Sequence, residues 1–220
     1  MNIKIDKSIL NILPDFHIIA YSMDVEYKSS DCVEELISSY ERKIKEEYSL
    51  EDVLDIPLIK EARDSYKKLG KDPSRYRLAC ESLLRRLVKG NSLYRINNLV
   101  DIGNILSIKT RRSVAVLDYD KIVGDVVVRV GKATDIYEGI GRGIINIENI
   151  PLYEDEIGPF GSTTSDTPRT MVTESTKKVL LFVVCFGTSE IEEDEKDAIE
   201  LFEKYASAKN INKIFVNRWV

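Results

Sequence analysis

The sequence has one histidine, three cysteines and no long apolar run, and each shortage excludes a class of protein. A hydrolase built on a histidine base would depend on His17, which lies in a predicted strand away from the polar clusters. Cys32, Cys80 and Cys185 are odd in number and far apart, so we expect buried, reduced thiols without a disulfide framework. The longest apolar run, 179–186, is too short to span a bilayer.

Metal and cofactor motifs are also missing. The sequence contains no CxxC, HExxH or P-loop pattern, so we expect no cofactor. Asp118 and Asp120 alternate at the end of a predicted strand, but two acids without a third ligand do not predict a metal site. The N-terminal segment 1–16 lacks the apolar core of a signal peptide, so we expect a cytoplasmic protein that does not enter a membrane.

Charge is distributed unevenly along the chain. The 220 residues carry a net charge of -5, which argues against general coating of nucleic acid and against DNA as a partner. Segment 67–95 nevertheless holds nine Lys or Arg against two acids. If RNA binds, we expect this local patch to contact its phosphates. The candidate RNA-binding residues are Arg75, Arg77, Arg85, Arg86 and Lys89.

Apolar periodicity predicts a mixed α/β chain of about one domain, 1–220, with 43% hydrophobic residues. Residues 1–70 combine strands and helices, and residues 71–220 form the main core. The predicted helices cover 31–48, 56–69, 75–89, 97–109 and 190–209. The predicted strands cover 17–23, 113–117, 125–130, 178–186 and 214–216. Continuous apolar runs make 126–128 and 180–184 central strands, whereas 131–143 and 151–170 are rich in turn residues.

Polar residues gather at two places that could form a ligand pocket. An arginine offers a planar fork to a carboxylate or phosphate, and an asparagine at a helix start caps the helix or presents its amide to a ligand. The pocket candidates are Arg95, Asn97 and Asn104 near the fourth helix, and Ser165, Asp166 and Arg169 in a later loop. The alternative is that the first three are caps and surface charges, and that the loop is a stiff turn.

The stretch RINNLVDIGNILSIKTRRSVAVLDYDKIVGDVVVRV resembles the B3/B4 module of the bacterial phenylalanyl-tRNA synthetase β subunit. That family reads roughly R-P-I-N-x-V-V-D-x-T-N-Y-V, and later H-A-F-D-x-D-K-I. The segment 173–181 is similar to the family's T-x-x-T-K-N-V-x-L-E strand. The matching positions are Arg95, Ile96, Asn97, Val100, Asp101, Asn104, Asp118, Asp120, Lys121 and Ile122. The resemblance implies a three-layer α/β fold with a central β-sandwich flanked by helices.

The resemblance also implies a function. In the synthetase this module holds the pocket that hydrolyses tyrosine mischarged onto the phenylalanine tRNA. Two positions depart from the family pattern, because Ala115 stands at its histidine and Phe182 at its glutamate. A polar partner for a substrate hydroxyl is missing at both positions, and a site without one loses discrimination worth several kcal/mol. The synthetase's catalytic and anticodon-binding modules are absent, so we expect no complete tRNA ligase.

The main hypothesis is a stand-alone B3/B4 domain that binds tRNA or an aminoacyl group and hydrolyses mischarged aminoacyl-tRNA in trans. Its pocket would lie where helix 97–109, strand 114–118 and loop 162–170 meet. One alternative is a protein that binds a small amino-acid-like molecule without RNA or catalysis. Another is a partner-binding module whose acidic helix, 190–204, is the interface and not merely a solvated face.

Overall fold

A computed structural model describes residues 1–218 of the chain. Three short 3-10 helices, Ser30–Val33, Tyr119–Lys121 and Pro168–Thr170, supplement the α-helices. The α-helices are α1 (Lys7–Leu10), α2 (Glu34–Glu47), α3 (Asp52–Asp55), α4 (Pro57–Lys68), α5 (Ala79–Val88), α6 (Asn98–Thr110) and α7 (Ile191–Ala206). Across the described residues, no helix is both long enough and apolar enough to cross a membrane.

The strands form two main sheets and a short hairpin. They are β1 (Ile3–Ile5), β2 (His17–Asp24), β3 (Ser113–Asp118), β4 (Val126–Val130), β5 (Glu138–Gly139), β6 (Gly143–Ile144), β7 (Pro151–Glu154), β8 (Pro159–Ser162), β9 (Lys178–Cys185), β10 (Lys209–Lys213) and β11 (Val216–Arg218). One sheet has the order β11-β1-β4-β7-β8, the second has the order β10-β2-β9-β3, and β5 pairs with β6.

Apolar strands place the core between the sheets. In β9, the residues from Val179 to Cys185 are all buried, as a strand covered on both faces requires. Phe182 of β9 meets Tyr153 of β7 edge-on, with ring centroids 5.0 Å apart. This contact joins the two sheets, while α6 packs against β3 and α7 packs against α6. The predicted mixed α/β architecture is confirmed, as are the central positions of β4 and β9.

The first 24 residues supply inner strands to both sheets. β1 lies between β11 and β4 and runs parallel to both of them. β2 lies between β10 and β9 and is antiparallel to both. Because each strand is paired on both edges, this N-terminal segment is built into the two sheets.

The predicted helix over 75–89 is wrong at its start, because α5 begins only at Ala79. Asp72 closes a turn by accepting a hydrogen bond from the Ser74 N–H at 2.9 Å. The N–H of Ala79 then donates to the carbonyl of Thr163 at 3.0 Å, which ties the start of α5 to the loop after β8. The predicted RNA contacts Arg75 and Arg77 therefore lie in the exposed segment before the helix and not on the helix.

The C-terminal helix is also shorter than predicted. α7 ends at Ala206, where Ser207 takes a left-handed conformation (φ 51°), and two strands follow in place of the single strand over 214–216. At its start Glu190 is left-handed (φ 62°), and its side chain makes no capping hydrogen bond.

Further corrections concern the loops and one thiol. Part of 151–170 forms β7 and β8, and 131–143 contributes to the β5–β6 hairpin, because backbone pairing overrides the local turn propensity. Cys80 and Cys185 are buried and reduced as expected, whereas Cys32 is exposed in the first 3-10 helix.

Candidate ligand cavity and basic grooves

A cavity of about 180 Å³ lies where α6, β3 and the loop around 166–172 meet. This is the junction at which the sequence predicted a pocket. Three polar side chains line it, namely Asn97, Asn104 and Asp166. The rest of the wall is Gly103 and the apolar residues Ile96, Val100, Val114, Val116, Ile140, Met171 and Val172.

The periodicity of two elements explains this wall. Asn97, Val100 and Asn104 are three and seven residues apart, so they lie on one face of α6. Val114 and Val116 alternate along β3 and point to the same side of its sheet. α6 packs on β3 beside this face, so the helix and the strand together form the walls of the cavity.

The two asparagines have different surroundings. Asn97 is buried and caps α6, because its Oδ1 accepts a hydrogen bond from the Val100 N–H at 3.0 Å. Asn98 next to it is also buried and accepts a hydrogen bond from the Lys28 N–H at 2.7 Å, so this helix start is fixed to the chain before α2. Asn104 is half-buried, and its amide makes no hydrogen bond to another described residue. It is therefore free to bind a ligand.

Asp166 is the acid of the cavity. Its Oδ1 is shielded from solvent and has no hydrogen-bond partner among the described residues. Burial raises the pKa of this carboxyl to about 7. The carboxyl lies over Gly161, where a Cβ atom would come within 2.8 Å of Oδ1, so a side chain at this position would displace it.

The other three predicted pocket residues have partners elsewhere. Arg95 forms ion pairs with Glu34 (2.7 Å) and Glu41, which tie the segment before α6 to α2. Arg169 forms an ion pair with Asp155 at 2.8 Å. Ser165 contributes to the loop geometry, since its carbonyl accepts hydrogen bonds from the Ser162 and Tyr137 hydroxyls.

The two positions that depart from the resembled pattern face away from the cavity. Ala115 of β3 lies directly opposite Phe182 of β9 in the antiparallel register. Both side chains are buried between the sheets, where Phe182 contacts Tyr153. Because successive strand residues alternate, the cavity-lining Val114 and Val116 point to the opposite side. The space where a histidine and a glutamate would stand is thus filled by apolar core.

A basic groove of about 230 Å³ runs along the C-terminal half of α5. Four of the five predicted RNA contacts line it, and the exception is Arg75. The lining residues are Arg77, Ser82, Arg85, Arg86, Lys89 and Asn91. The Arg86 guanidinium lies 4.1 Å from the centre of the Tyr94 ring and donates a hydrogen bond to the carbonyl of Ser92 at 2.6 Å.

Sequence reasoning missed a second groove beside the first. It encloses about 320 Å³, and Arg42 and Lys45 of α2 supply its cations. Asn91 lines both grooves, so they meet at the end of α5. Arg42 and Lys45 are three residues apart on a helix, but nothing in the sequence indicates that α2 approaches α5.

Within residues 1–218, no group of three or more His, Cys, Asp or Glu residues could hold a metal ion. Asp118, one of the two acids considered for such a site, instead accepts a hydrogen bond from the Thr176 hydroxyl at 2.7 Å. It also accepts a hydrogen bond from the Asp120 N–H at 3.2 Å and pairs with Lys121 at 3.4 Å.

Comparison with known proteins gives a family and a fold. The sequence profile of the B3/4 domain matches residues 61–214. Among solved structures, the chain is similar to an N-terminal fragment of the phenylalanyl-tRNA synthetase β-subunit from Pyrococcus horikoshii, with a TM-score of 0.53 and 13% sequence identity. The match covers 99% of this chain and 52% of that fragment, so the chain spans about half of its length. No curated protein matches.

Proposed function

Because the chain belongs to the B3/4 domain family, we propose that it binds the aminoacyl end of a tRNA and hydrolyses mischarged aminoacyl-tRNA in trans. The observation that carries this proposal is the cavity between α6 and β3, where Asn97, Asn104 and Asp166 come together in a largely apolar wall. The basic groove along α5 would hold phosphates of the same tRNA.

The size of the cavity supports an aminoacyl group as the part that enters. Its volume is about 180 Å³. An apolar cavity of about 150 Å³ is large enough for benzene, so the side chain of one amino acid fits, whereas a nucleotide does not. The RNA would therefore remain outside the cavity, on the surface around it.

A single chain segment connects the two sites. Asn91 lines the basic groove, and Ile96 and Asn97 line the cavity. Asn97 lies six positions after Asn91, so their Cα atoms are at most roughly 20 Å apart. Tyr94 lies between them and is exposed, and the Arg86 guanidinium packs against its ring. A single-stranded RNA end could stack its bases there on the way to the cavity.

The substrate side chain should be apolar. The positions of the resembled family's polar residues, Ala115 and Phe182, lie on the far face of β3 and in its neighbour β9. No serine, threonine, tyrosine or histidine lines the described cavity to recognise a substrate hydroxyl. Ester hydrolysis would accordingly rely on orienting a water molecule and polarising the ester carbonyl with amide and backbone groups, not on a histidine base.

A second candidate is binding of a small amino-acid-like molecule without RNA. One observation favours it: the cavity of about 180 Å³ suits one amino-acid-sized molecule, and α6, β3 and the loop at 166–172 supply most of its wall. In that case an amino acid alone would raise the melting temperature of the protein.

Deacylation of a panel of mischarged tRNAs tests the proposal. We expect turnover of at least one species with an apolar amino acid, and loss of turnover in Asn104→Leu, which places an apolar side chain at an unpaired amide. Thr134→Leu makes a similar change in an exposed loop outside the cavity and should retain full activity. If no species is hydrolysed and tRNA is not retained at low salt, the proposal is wrong and the second candidate leads.

A further inference from the structure

We propose that the β5–β6 hairpin is a flap over the cavity, which opens to admit a ligand and closes with Ile140 in the cavity wall. The flap is the segment 138–144. Ile140 lines the cavity and is also exposed, which places it at the mouth. The inference concerns access to the cavity and not the identity of the ligand, so it goes beyond the proposed function.

Two other walls of the cavity are held firmly. α6 packs on β3, and β3 pairs with β9 along its whole length. The wall formed by the loop after β8 is tied back to that strand, because the Thr167 and Thr170 hydroxyls donate to the Phe160 carbonyl at 3.0 and 3.2 Å. Arg169 also donates to both carboxylate oxygens of Asp155, at 3.0 and 2.8 Å. These walls should therefore keep their positions when the flap moves.

The base of the flap is anchored as well. Tyr137 and Ile147 are buried with Leu152 of β7 in a small apolar cluster, against which Ile145 packs. The Ile145 N–H donates to the Tyr137 carbonyl at 2.9 Å. The residues on both sides of the flap are thus fixed to β7, which gives the flap a stable point from which to pivot.

The tip of the flap is held loosely in comparison. Across residues 1–218, one backbone hydrogen bond joins the flap to the rest of the chain, from the Ile140 N–H to the Asp166 carbonyl at 2.9 Å. Gly141 and Gly143 both have a φ of 66°, and a Cβ atom at either position would meet no described atom within 4 Å. Opening therefore breaks a single backbone hydrogen bond, and the glycines can absorb the change in φ and ψ.

Apolar side chains at the mouth favour the closed position. Ile96 and Met171 line the same cavity as Ile140, and all three are exposed in part. Moving Ile140 out of the wall would expose more apolar surface to water, which is unfavourable. A ligand that contacts Ile140 in the closed position would shift the flap further toward closure. The flap would then have to open before that ligand could leave.

Amide hydrogen exchange of the wild-type chain tests the motion. Three amides donate backbone hydrogen bonds of 2.9–3.0 Å, namely Ile140 at the tip, Ile145 at the base and Thr167 in the loop. Because local opening exposes an amide to exchange, we expect the Ile140 amide to exchange about tenfold faster or more than the other two, each relative to its intrinsic rate. Equal protection of the three amides would show that the hairpin does not open by itself and would overturn the inference.

Thiol labelling tests whether the flap controls entry to the cavity. Val114→Cys places a thiol in the cavity wall, and Cys32→Ser removes the exposed native thiol. In this background Gly141→Ala disfavours the left-handed tip without touching the cavity. The introduced thiol should then react with iodoacetamide roughly fivefold faster or more, because the closed position is less populated.

The matched control is Gly90→Ala, which makes the same change at another left-handed glycine (φ 80°) outside the cavity and should leave the labelling rate unchanged. The buried thiols Cys80 and Cys185 report global unfolding in the same reaction and should stay unlabelled. Equal labelling rates in Gly141→Ala and Gly90→Ala would overturn the inference. Neither test uses tRNA or an amino acid, so its failure is separate from failure of the proposed deacylation.

Discussion

Three enclosed acids of this chain have different neighbours. Glu81 is fully buried and accepts two hydrogen bonds from Arg63 Nη1, at 2.9 and 2.8 Å. Asp194 is buried against the Arg112 guanidinium. Asp166 lines a cavity and has no such partner. Since buried acids are ordinarily paired, an unpaired one beside a cavity is where a ligand is expected.

The first prediction concerns stability and pH. Burial raises the pKa of Asp166 from 3.8 to about 7, so the native state binds its proton more tightly than the unfolded state. The free energy of unfolding should therefore decrease as the pH rises from about 4 to about 7, by at most about 4 kcal/mol from this group. Asp166→Asn removes the effect, so its stability relative to wild type should improve over this range.

Urea unfolding at several pH values measures this difference. Asp120→Asn is the control, because Asp120 is exposed, and its stability relative to wild type should stay constant with pH. If the stability of Asp166→Asn relative to wild type is also constant with pH, the Asp166 carboxyl has an ordinary pKa in the folded protein.

The second prediction concerns the buried Arg112–Asp194 pair. Both side chains are almost fully buried, and Arg112 also donates a hydrogen bond to the carbonyl of Ser189 before α7. Arg112→Met leaves Asp194 charged and unpaired, which should lower the free energy of unfolding by about 3–5 kcal/mol. The exposed pair Lys196–Glu200 on the same helix is the control, and Lys196→Ala should cost less than about 1 kcal/mol in urea titrations.

Local chemistry determines where some of the candidate site residues lie, and their functional role stays a prediction. Asn97 caps the strongly apolar helix α6, and Asn104 lies within it. Both residues line the cavity together with Asp166. The orientation of Arg95 could not be predicted, because its partners Glu34 and Glu41 precede it by more than fifty residues. Long-range pairing of this kind depends on how α2 packs, which no local pattern encodes.

At the scale of elements, the contact between α6 and β3 determines the shape of the cavity. Gly103 lies on α6 where a Cβ atom would come within 2.6 Å of Val116 Cγ2. Both residues line the cavity. The helix can thus approach the strand closely because it carries no side chain at this point.

The third prediction follows from this approach. Gly103→Ala should lower the free energy of unfolding by about 1–3 kcal/mol, because overpacking outweighs the better helix propensity of alanine. The double variant Gly103→Ala, Val116→Ala removes the clashing methyl group and should recover part of the stability. Thermal unfolding of the single and double variants measures this recovery. Equal losses of stability in both variants would contradict a steric origin of the destabilisation.

The sequence predicted best those helices and strands whose limits are determined by their own residues and not by contacts with distant segments. α6 begins and ends within a residue or two of its predicted limits, because it combines an asparagine cap with an apolar surface. α5 begins four residues late, since the backbone of Ala79 pairs with Thr163, a contact between distant segments. β10 and β11 are short and mostly exposed, so they lack the apolar run that identifies a strand.

At the scale of the whole molecule, charge is separated between surfaces. The net charge is -5, yet two grooves that meet at Asn91 are lined by Arg42, Lys45, Arg77, Arg85, Arg86 and Lys89. None of these six forms an ion pair with another described residue at the distances of a salt bridge. α7 carries a run of acids, Glu192, Glu193 and Asp194, at its start. A polyanion would therefore be attracted to one region of the surface and repelled by another.

The fourth prediction tests this surface through the salt dependence of tRNA binding. Each cation that neutralises a phosphate contributes about 0.7–0.9 to the slope of log K against log salt. Replacing Arg77, Arg85 and Lys89 by alanine should therefore reduce the slope by about 2–3 and weaken binding at low salt. The control replaces Lys196, Lys204 and Lys209, three exposed lysines outside the grooves, and should leave the slope unchanged. Equal slopes for both triple variants would mean that tRNA does not bind along α5, and the aminoacyl end would then have to reach the cavity from another side.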